Sequence, residues 1–225
     1  NIEPFSPRGM LHEGWSSEVD DYAIVCGWAM GGKIFIVGDS AGGLYAFESL
    51  KGNTIWKNEN VHKGGLLAIS INSEGDIFST AGQDGCVRFW SSEDGKELKK
   101  IEIGKGWVEN LKYSPDDKYL AVALSKNAYV FNLEGQEIWK SEDHPSTISA
   151  IAWATNNELA TACYGQVAFF DINNNKINQK LEWQGSLISM VISPNGDIVA
   201  CGSQDNSVHF WRRSTGHDAE MTGYP

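Results

Sequence analysis

A chain of 225 residues with 41% hydrophobic and 21% charged residues has the make-up of an ordinary folded protein, which argues against disorder and low complexity. Its formal charge of −11 comes with no basic cluster beyond pairs such as Lys99-Lys100 and Arg212-Arg213, so nucleic acid, whose phosphates need a basic footprint, is not expected as a partner. The longest apolar stretch, Tyr22–Met30, is interrupted by Gly27 and is far below the roughly 20 residues that span a bilayer, so no membrane segment is expected.

Residues 1–19 read as an N-terminal arm. Asn1 opens it without a methionine and without a signal-peptide series, so an excised, processed or partial piece is expected. Gly14 and Trp15 belong either to a lead-in segment or to the remnant of an outer strand. Residues 20–60 then carry an apolar run ending in Trp28, a second over Lys33–Gly38, a third over Leu44-Tyr45-Ala46-Phe47, and a more polar run over Thr54–Lys57. Met30-Gly31-Gly32-Lys33 and Lys51-Gly52-Asn53 stand between runs, and such residues accept positive φ or hydrogen-bond their own backbone.

The same order returns down the chain. Residues 61–103 give runs ending at Ile71, over Asp76–Ala81, over Val87-Arg88-Phe89-Trp90 and over Lys96–Ile101. Residues 104–142 end their first run at Tyr113 and continue through Lys118–Ala123 and Ala128-Tyr129-Val130-Phe131. Residues 143–182 give Trp153, Glu158–Cys163 and Val167-Ala168-Phe169-Phe170. Residues 183–225 give Ile192, Asp197–Gly202 and Val208-His209-Phe210-Trp211, with Met221–Pro225 read as the start of a further unit.

The closing aromatics at 47, 90, 131, 170 and 211 are 43, 41, 39 and 41 positions apart. Four short strands per period of about 40 residues predict an all-β fold, a β-propeller of four-stranded antiparallel blades. A helical solenoid of similar period would need 3.6-residue periodicity, which is missing. The five units form one propeller domain, read as an incomplete ring about two blades short of seven rather than a closed five.

On these residues the sequence resembles the WD-repeat family from about residue 20 to the end. His62, Thr80, Asp84 and Trp90 stand at that family's spacing for a histidine, a hydroxyl residue, an aspartate and a tryptophan. The resemblance implies a buried hydrogen-bonded chain from aspartate through histidine and hydroxyl to the indole. The other units depart from the pattern: Trp183 and Cys201 replace the histidine and hydroxyl of the fifth, and the fourth keeps His144 and Thr161 but ends in Phe170. The third has Val122 and Phe131, and the first Ala41 and Phe47, so apolar packing alone is expected to hold most units.

The resemblance also implies a partner-binding rim of loops around a central channel. Carried over unit by unit, it comprises Tyr22 and Ser40; Gly65, Leu67 and Gln83; Trp107, Glu109 and Leu124; Thr147 and Ser149; and Ser186, Ile188 and Gln204. Trp107 and Tyr22 are the expected anchors, because buried aromatic side chains carry much of the energy at interface centres.

Catalytic chemistry has little support. His62 and His144 are placed structurally by the repeat, His209 alternates along a strand, and His12 and His217 fall in terminal or loop segments. No phosphate-binding loop occurs, and Cys26, Cys86, Cys163 and Cys201 lie singly in apolar runs, as buried thiols of a reducing compartment would. Gly43–Phe47 followed by Lys51–Lys57 is similar to the repeat of quinone-dependent propeller enzymes, with an outer-strand tryptophan docking one blade on the next. No evident set of calcium-binding carboxylates accompanies it.

The expectation is therefore a cytoplasmic, non-catalytic scaffold without metal or cofactor. It would bind a protein or peptide and self-associate through open propeller edges. A quinoprotein-like or other propeller enzyme is the alternative, and so is a glycan-binding propeller stacking sugars on Trp107 and Trp183.

Overall fold

Short runs of alternating apolar and polar residues, punctuated by Gly, Asn and Asp, fold into antiparallel hairpins because successive side chains of a strand face opposite ways. In the computed structural model, which describes residues 14–223, these hairpins make four hydrogen-bonded sheets. The first comprises β1 (Ala23–Ala29), β2 (Ile34–Asp39), β3 (Leu44–Glu48) and β4 (Thr54–Asn58), in sequence order. The second comprises β5 (Leu66–Ile71), β6 (Ile77–Gly82), β7 (Cys86–Ser91) and β8 (Glu97–Glu102). The third comprises β9 (Val108–Tyr113), β10 (Tyr119–Leu124), β11 (Asn127–Asn132) and β12 (Glu137–Lys140).

The remaining strands form one sheet of six: β13 (Ala150–Trp153), β14 (Glu158–Asp171), β15 (Lys176–Ile192), β16 (Ile198–Ser203), β17 (Val208–Arg212) and β18 (His217–Met221). Here the fourth and fifth units run together. The first half of β14 pairs with β13 and its second half with the start of β15, while the end of β15 pairs with β16. Tyr164 pairs with Ser186, which joins the two units at the bend around Gly165. The fourth unit has no break between its outer strand and the next inner one, because Glu182 to Ser186 contain no proline and stay extended.

Neighbouring sheets seal each other's apolar faces. Ile34, Ile36 and Leu44 meet Leu66, Phe78 and Trp90; Ala81, Val87 and Phe89 meet Val108, Leu111 and Tyr113. Ala121, Val130 and Trp139 meet Trp153, Leu159 and Phe170. Within the six-stranded sheet, Val167 and Phe169 meet Leu187, Met190 and Trp211. Each large side chain buried in this way contributes roughly 1.5–3 kcal/mol. The first strands β1, β5, β9 and β13 lie successively against one another, so the sheets fan around a common axis. Among the described residues no substantial strand contact joins the first sheet to β15–β18.

Each closing aromatic faces the preceding sheet: Trp90 the first, Phe131 the second, Phe170 the third, and Trp211 the fourth unit. Phe47 has no preceding sheet among the described residues and is covered by Trp15 and Val19. On the same side of the sheet, Ile24, Cys26 and Trp28 of β1 are exposed. At the other end Val191 and Met221 are exposed.

Three expectations need correction. Cys26 is not a buried thiol, because among the described residues no sheet covers its side of β1. Met221 does not start a further unit; it ends β18, the fourth strand of the last unit, and Tyr224 and Pro225 lie outside the described residues. His217 opens that strand rather than sitting in a loop. His12 lies outside the described residues.

Candidate interaction rim

One edge of the assembly is defined by backbone bonds that repeat from unit to unit. The N–H of Ser40 donates to Tyr22 O at 2.9 Å, that of Gln83 to Gly65 O at 3.1 Å, and that of Gln204 to Ser186 O at 2.9 Å. Each bond ties the turn after a second strand to the residue that leads into the first. In the fourth unit Ser149 donates from its N–H to Ala162 O and from Oγ to Leu187 O at 2.5 Å, fixing it to β15. With the backbone satisfied, the side chains of Tyr22, Gln83 and Gln204 make no hydrogen bond among the described residues, whereas that of Ser149 does.

Several of those side chains stand in solvent. Tyr22 is 82% exposed, Trp107 56% and Ile188 58%. Glu109, Thr147 and Gln204 are exposed too, whereas Ser40, Leu67, Gln83, Ser149 and Ser186 are half-buried. Gly65 is buried. Leu124 does not belong to this surface: it is buried in the second-to-third sheet interface, and the exposed Ser125 holds the turn with φ 54°.

Sequence reasoning missed Tyr164, which is 61% exposed. It stands three residues after Thr161 as Gln83 stands three after Thr80, so counting from the hydroxyl would have found it. Its N–H donates to Ser146 Oγ at 2.9 Å, which fixes the backbone and leaves the phenol outside.

Beneath the second unit's edge lies a buried polar chain. His62 Nδ1 lies 2.9 Å from Asp84 Oδ1, its Nε2 lies 2.8 Å from Thr80 Oγ1, and Trp90 Nε1 donates to Thr80 Oγ1 at 2.9 Å. One proton arrangement satisfies every member: Nδ1–H donates to the carboxylate, and Nε2 accepts from the hydroxyl. Burial pushes the His62 pKa down and so keeps the ring neutral, which this arrangement requires. Burial alone would raise the Asp84 pKa, but the bonds from His62 and from the N–H groups of Cys86 and Lys63 outweigh it and leave the carboxyl below its usual range.

Other units have polar links of their own, contrary to the expectation of apolar packing alone. His144 Nε2 meets Thr161 Oγ1 at 2.8 Å while Nδ1 meets Lys126 O at 2.9 Å, a backbone carbonyl standing in for the missing aspartate. Burial lowers the His144 pKa as well. In the first unit Asp39, 1% exposed, accepts from Gly43 N–H at 2.6 Å and from the Tyr45 hydroxyl at 2.8 Å. Burial pushes the Tyr45 phenol up to about 12. The aspartate was hidden from sequence because it closes its own turn, four residues ahead of Gly43, rather than following the family spacing.

Among the described residues no group of three or more His, Cys, Asp or Glu side chains is arranged to hold a metal. A cleft of about 360 Å³ between the first strands is lined by Lys112, Tyr113, Pro115, Trp153, Met190 and Val191 among others. Its lining offers neither a nucleophile paired with a base nor a carboxylate pair. One face of Trp183 is taken by the His209 ring, 3.9 Å away, so that face is closed to a stacking sugar. Among the described residues no helix is long and apolar enough to cross a membrane.

Comparison with known proteins places these repeats. The family "WD domain, G-beta repeat" matches residues 56–91 and 176–212, and "Anaphase-promoting complex subunit 4 WD40 domain" matches residues 111–192. Both matches to the shorter repeat start in the fourth strand of one unit and end in the third strand of the next. The chain is 21% identical to Protein tipD of Dictyostelium discoideum, over 80% of this chain and 30% of that protein. It is 25% identical to Target of rapamycin complex subunit wat1 of Schizosaccharomyces pombe, over 60% of this chain and 45% of that protein. It is 22% identical to Serine-threonine kinase receptor-associated protein of Gallus gallus, over 69% of this chain and 45% of that protein. The chain therefore matches less than half the length of each of these relatives.

Proposed function

The chain carries WD repeats, and from that premise we propose that it is a non-catalytic interaction scaffold that binds a partner protein or peptide on the rim presenting Tyr22, Trp107, Tyr164 and Ile188. The observation that carries this reading is the exposure of four large side chains at the same end of their units' strands, two of which, Tyr22 and Tyr164, have a hydrogen-bonded backbone. Exposed apolar groups gathered at one place are a common mark of an interaction site, and tyrosine and tryptophan combine large contact area with a polar tip. Glu109 and Gln204 beside them favour a partner with basic or amide groups.

Relatives named as a complex subunit and as a receptor-associated protein support the scaffold class. A cytoplasmic setting fits the unpaired cysteines. The open faces at Trp28 and at Val191 add self-association, or docking of further sheets of the same kind, as a second mode of assembly.

The test compares recovery of co-purifying proteins by the natural chain, by the variants Trp107→Ala and Tyr164→Ala, and by Leu98→Ala, which removes an exposed side chain of the outer strand β8. Partners lost with the two rim variants and kept with Leu98→Ala support the rim. Recovery unchanged by both rim variants overturns it.

A further inference from the structure

Two acid–base pairs occupy the same place in two repeats. Arg88 of β7 donates from Nη1 to Glu97 Oε2 of β8 at 2.8 Å. Register puts His209 of β17 at the same position, since Arg88 pairs with Thr80 and His209 with Cys201, the residue that replaces that threonine. Asp218 of β18 stands where Glu97 does, and its Oδ2 lies 3.5 Å from His209 Nε2. The arginine is charged at any physiological pH and the histidine is not, so only the second pair depends on a proton.

The surroundings of His209 sharpen the point. It is 2% exposed and lies between the indoles of Trp183, at 3.9 Å, and Trp211, at 4.2 Å. Among the described residues neither ring nitrogen has a hydrogen-bond partner, although a neutral imidazole carries one donor and one acceptor, and burying them unpaired is unfavourable. Protonation makes Nε2–H a charged donor toward Asp218 and sets a cation against two aromatic faces. By register and sequence the other titratable groups around the ring are Glu220 on β18, Cys201 on β16, Asp205 in the intervening turn, Glu182 beside Trp183, and Arg212 on its own strand. Burial pushes the Cys201 thiol up to about 12, so it stays uncharged, and Asp205 is engaged by Ser207 at 2.6 Å.

The geometry points to a proton-dependent clamp: His209 and Asp218 hold the outer strand β18 to its sheet more firmly when the imidazole is protonated than when it is neutral. All five residues of β18 are exposed, so the pair acts on a strand with little other side-chain burial. Ala219 and Met221 of that strand face the open side, so the clamp also sets how firmly that surface is formed.

Amide hydrogen exchange of residues 217–221, corrected for intrinsic rates, tests this at pH 7.5 and pH 5.5. Protection should be greater at pH 5.5 by roughly two- to fivefold, the range of a partly exposed ion pair. In Asp218→Asn, whose side chain is 64% exposed and whose replacement leaves the fold intact, the acid gain should vanish. Equal or lower protection at pH 5.5 in the natural chain overturns the proposal, and so does a gain that survives Asp218→Asn.

Discussion

The indole of Trp15 lies over Gly52 so closely that a Cβ on the glycine would overlap the ring. Trp56 of β4 lies over Gly95 in the same way, and the two indoles donate to matching carbonyls, Ser49 O at 2.8 Å and Ser92 O at 3.0 Å. Trp15 therefore sits on the first sheet as the outer strand of the first sheet sits on the second.

That equivalence makes Gly52→Ala and Trp15→Ala informative. Gly52 has φ 70°, so alanine there suffers both backbone strain and a clash with the indole. A cost of about 1–3 kcal/mol is expected. Trp15→Ala removes the cover from Phe47 and should cost a similar amount, about 2 kcal/mol. Urea midpoints check both, and the double variant should cost less than the sum because the two residues share one contact.

Asp84→Ala strips the His62 Nδ1–H of its acceptor at the far end of the buried chain. The expected loss is about 1–3 kcal/mol, read from the denaturation midpoint. Asp84→Asn keeps an acceptor oxygen and should lose less. A midpoint unchanged by the alanine variant would falsify the role assigned to this carboxylate.

Stability should also fall in mild acid, and the sign follows from His62 and His144. Burial lowers both pKa values, so each ring binds its proton more readily in the unfolded chain. Their contribution is complete above the unfolded value of about 6.5 and is lost as pH drops from there toward the folded values. Asp84, held below the usual carboxylate range, adds a second loss only as pH falls below about 4. Urea midpoints at pH 7.5, 6.5 and 5.5 should decline, less steeply in His144→Gln. The local trend proposed for β18 runs the other way, which separates the two effects.

The repeat was legible because each unit needs a closing aromatic and turn residues at fixed intervals, and those at 47, 90, 131, 170 and 211 are all buried. The second unit's polar chain was legible for the same reason, since all four side chains sit at family spacing. The His144 link was only half visible, because its second partner is a backbone carbonyl that no side-chain pattern encodes. Tyr164 was overlooked because the second and third strands of the fourth unit run together as β14, with no separate turn between them, and its rim was placed by the first-strand loop alone. The continuity of β15 from the fourth unit into the fifth likewise depends on the backbone staying extended through Gly185, which composition does not announce.

Tyr164→Ala and Trp107→Ala should leave folding almost untouched. Both side chains are mostly in water, neither forms a side-chain hydrogen bond among the described residues, and surface truncations of that kind stay within about 0.5 kcal/mol. Thermal midpoints close to that of the natural chain are expected. A drop of several degrees would mean that these rings fill space between sheets instead of facing a partner.

Asp39 offers the strictest energetic test, because a buried carboxylate is tolerated only when donors surround it. Its two donors are Gly43 N–H and the Tyr45 hydroxyl, and that hydroxyl in turn accepts from Asp20 N–H at 3.0 Å. Tyr45→Phe removes one donor, leaves the carboxylate buried and under-satisfied, and should cost about 1–3 kcal/mol. Asp39→Ala removes the acceptor and frees the hydroxyl and Gly43 N–H, at a cost of similar size. Once the carboxylate is gone the phenol hydroxyl has lost its main partner, so adding Tyr45→Phe to Asp39→Ala should cost markedly less than Tyr45→Phe alone. A double-mutant cycle by urea denaturation measures the difference. Strict additivity would show that the 2.8 Å contact contributes nothing.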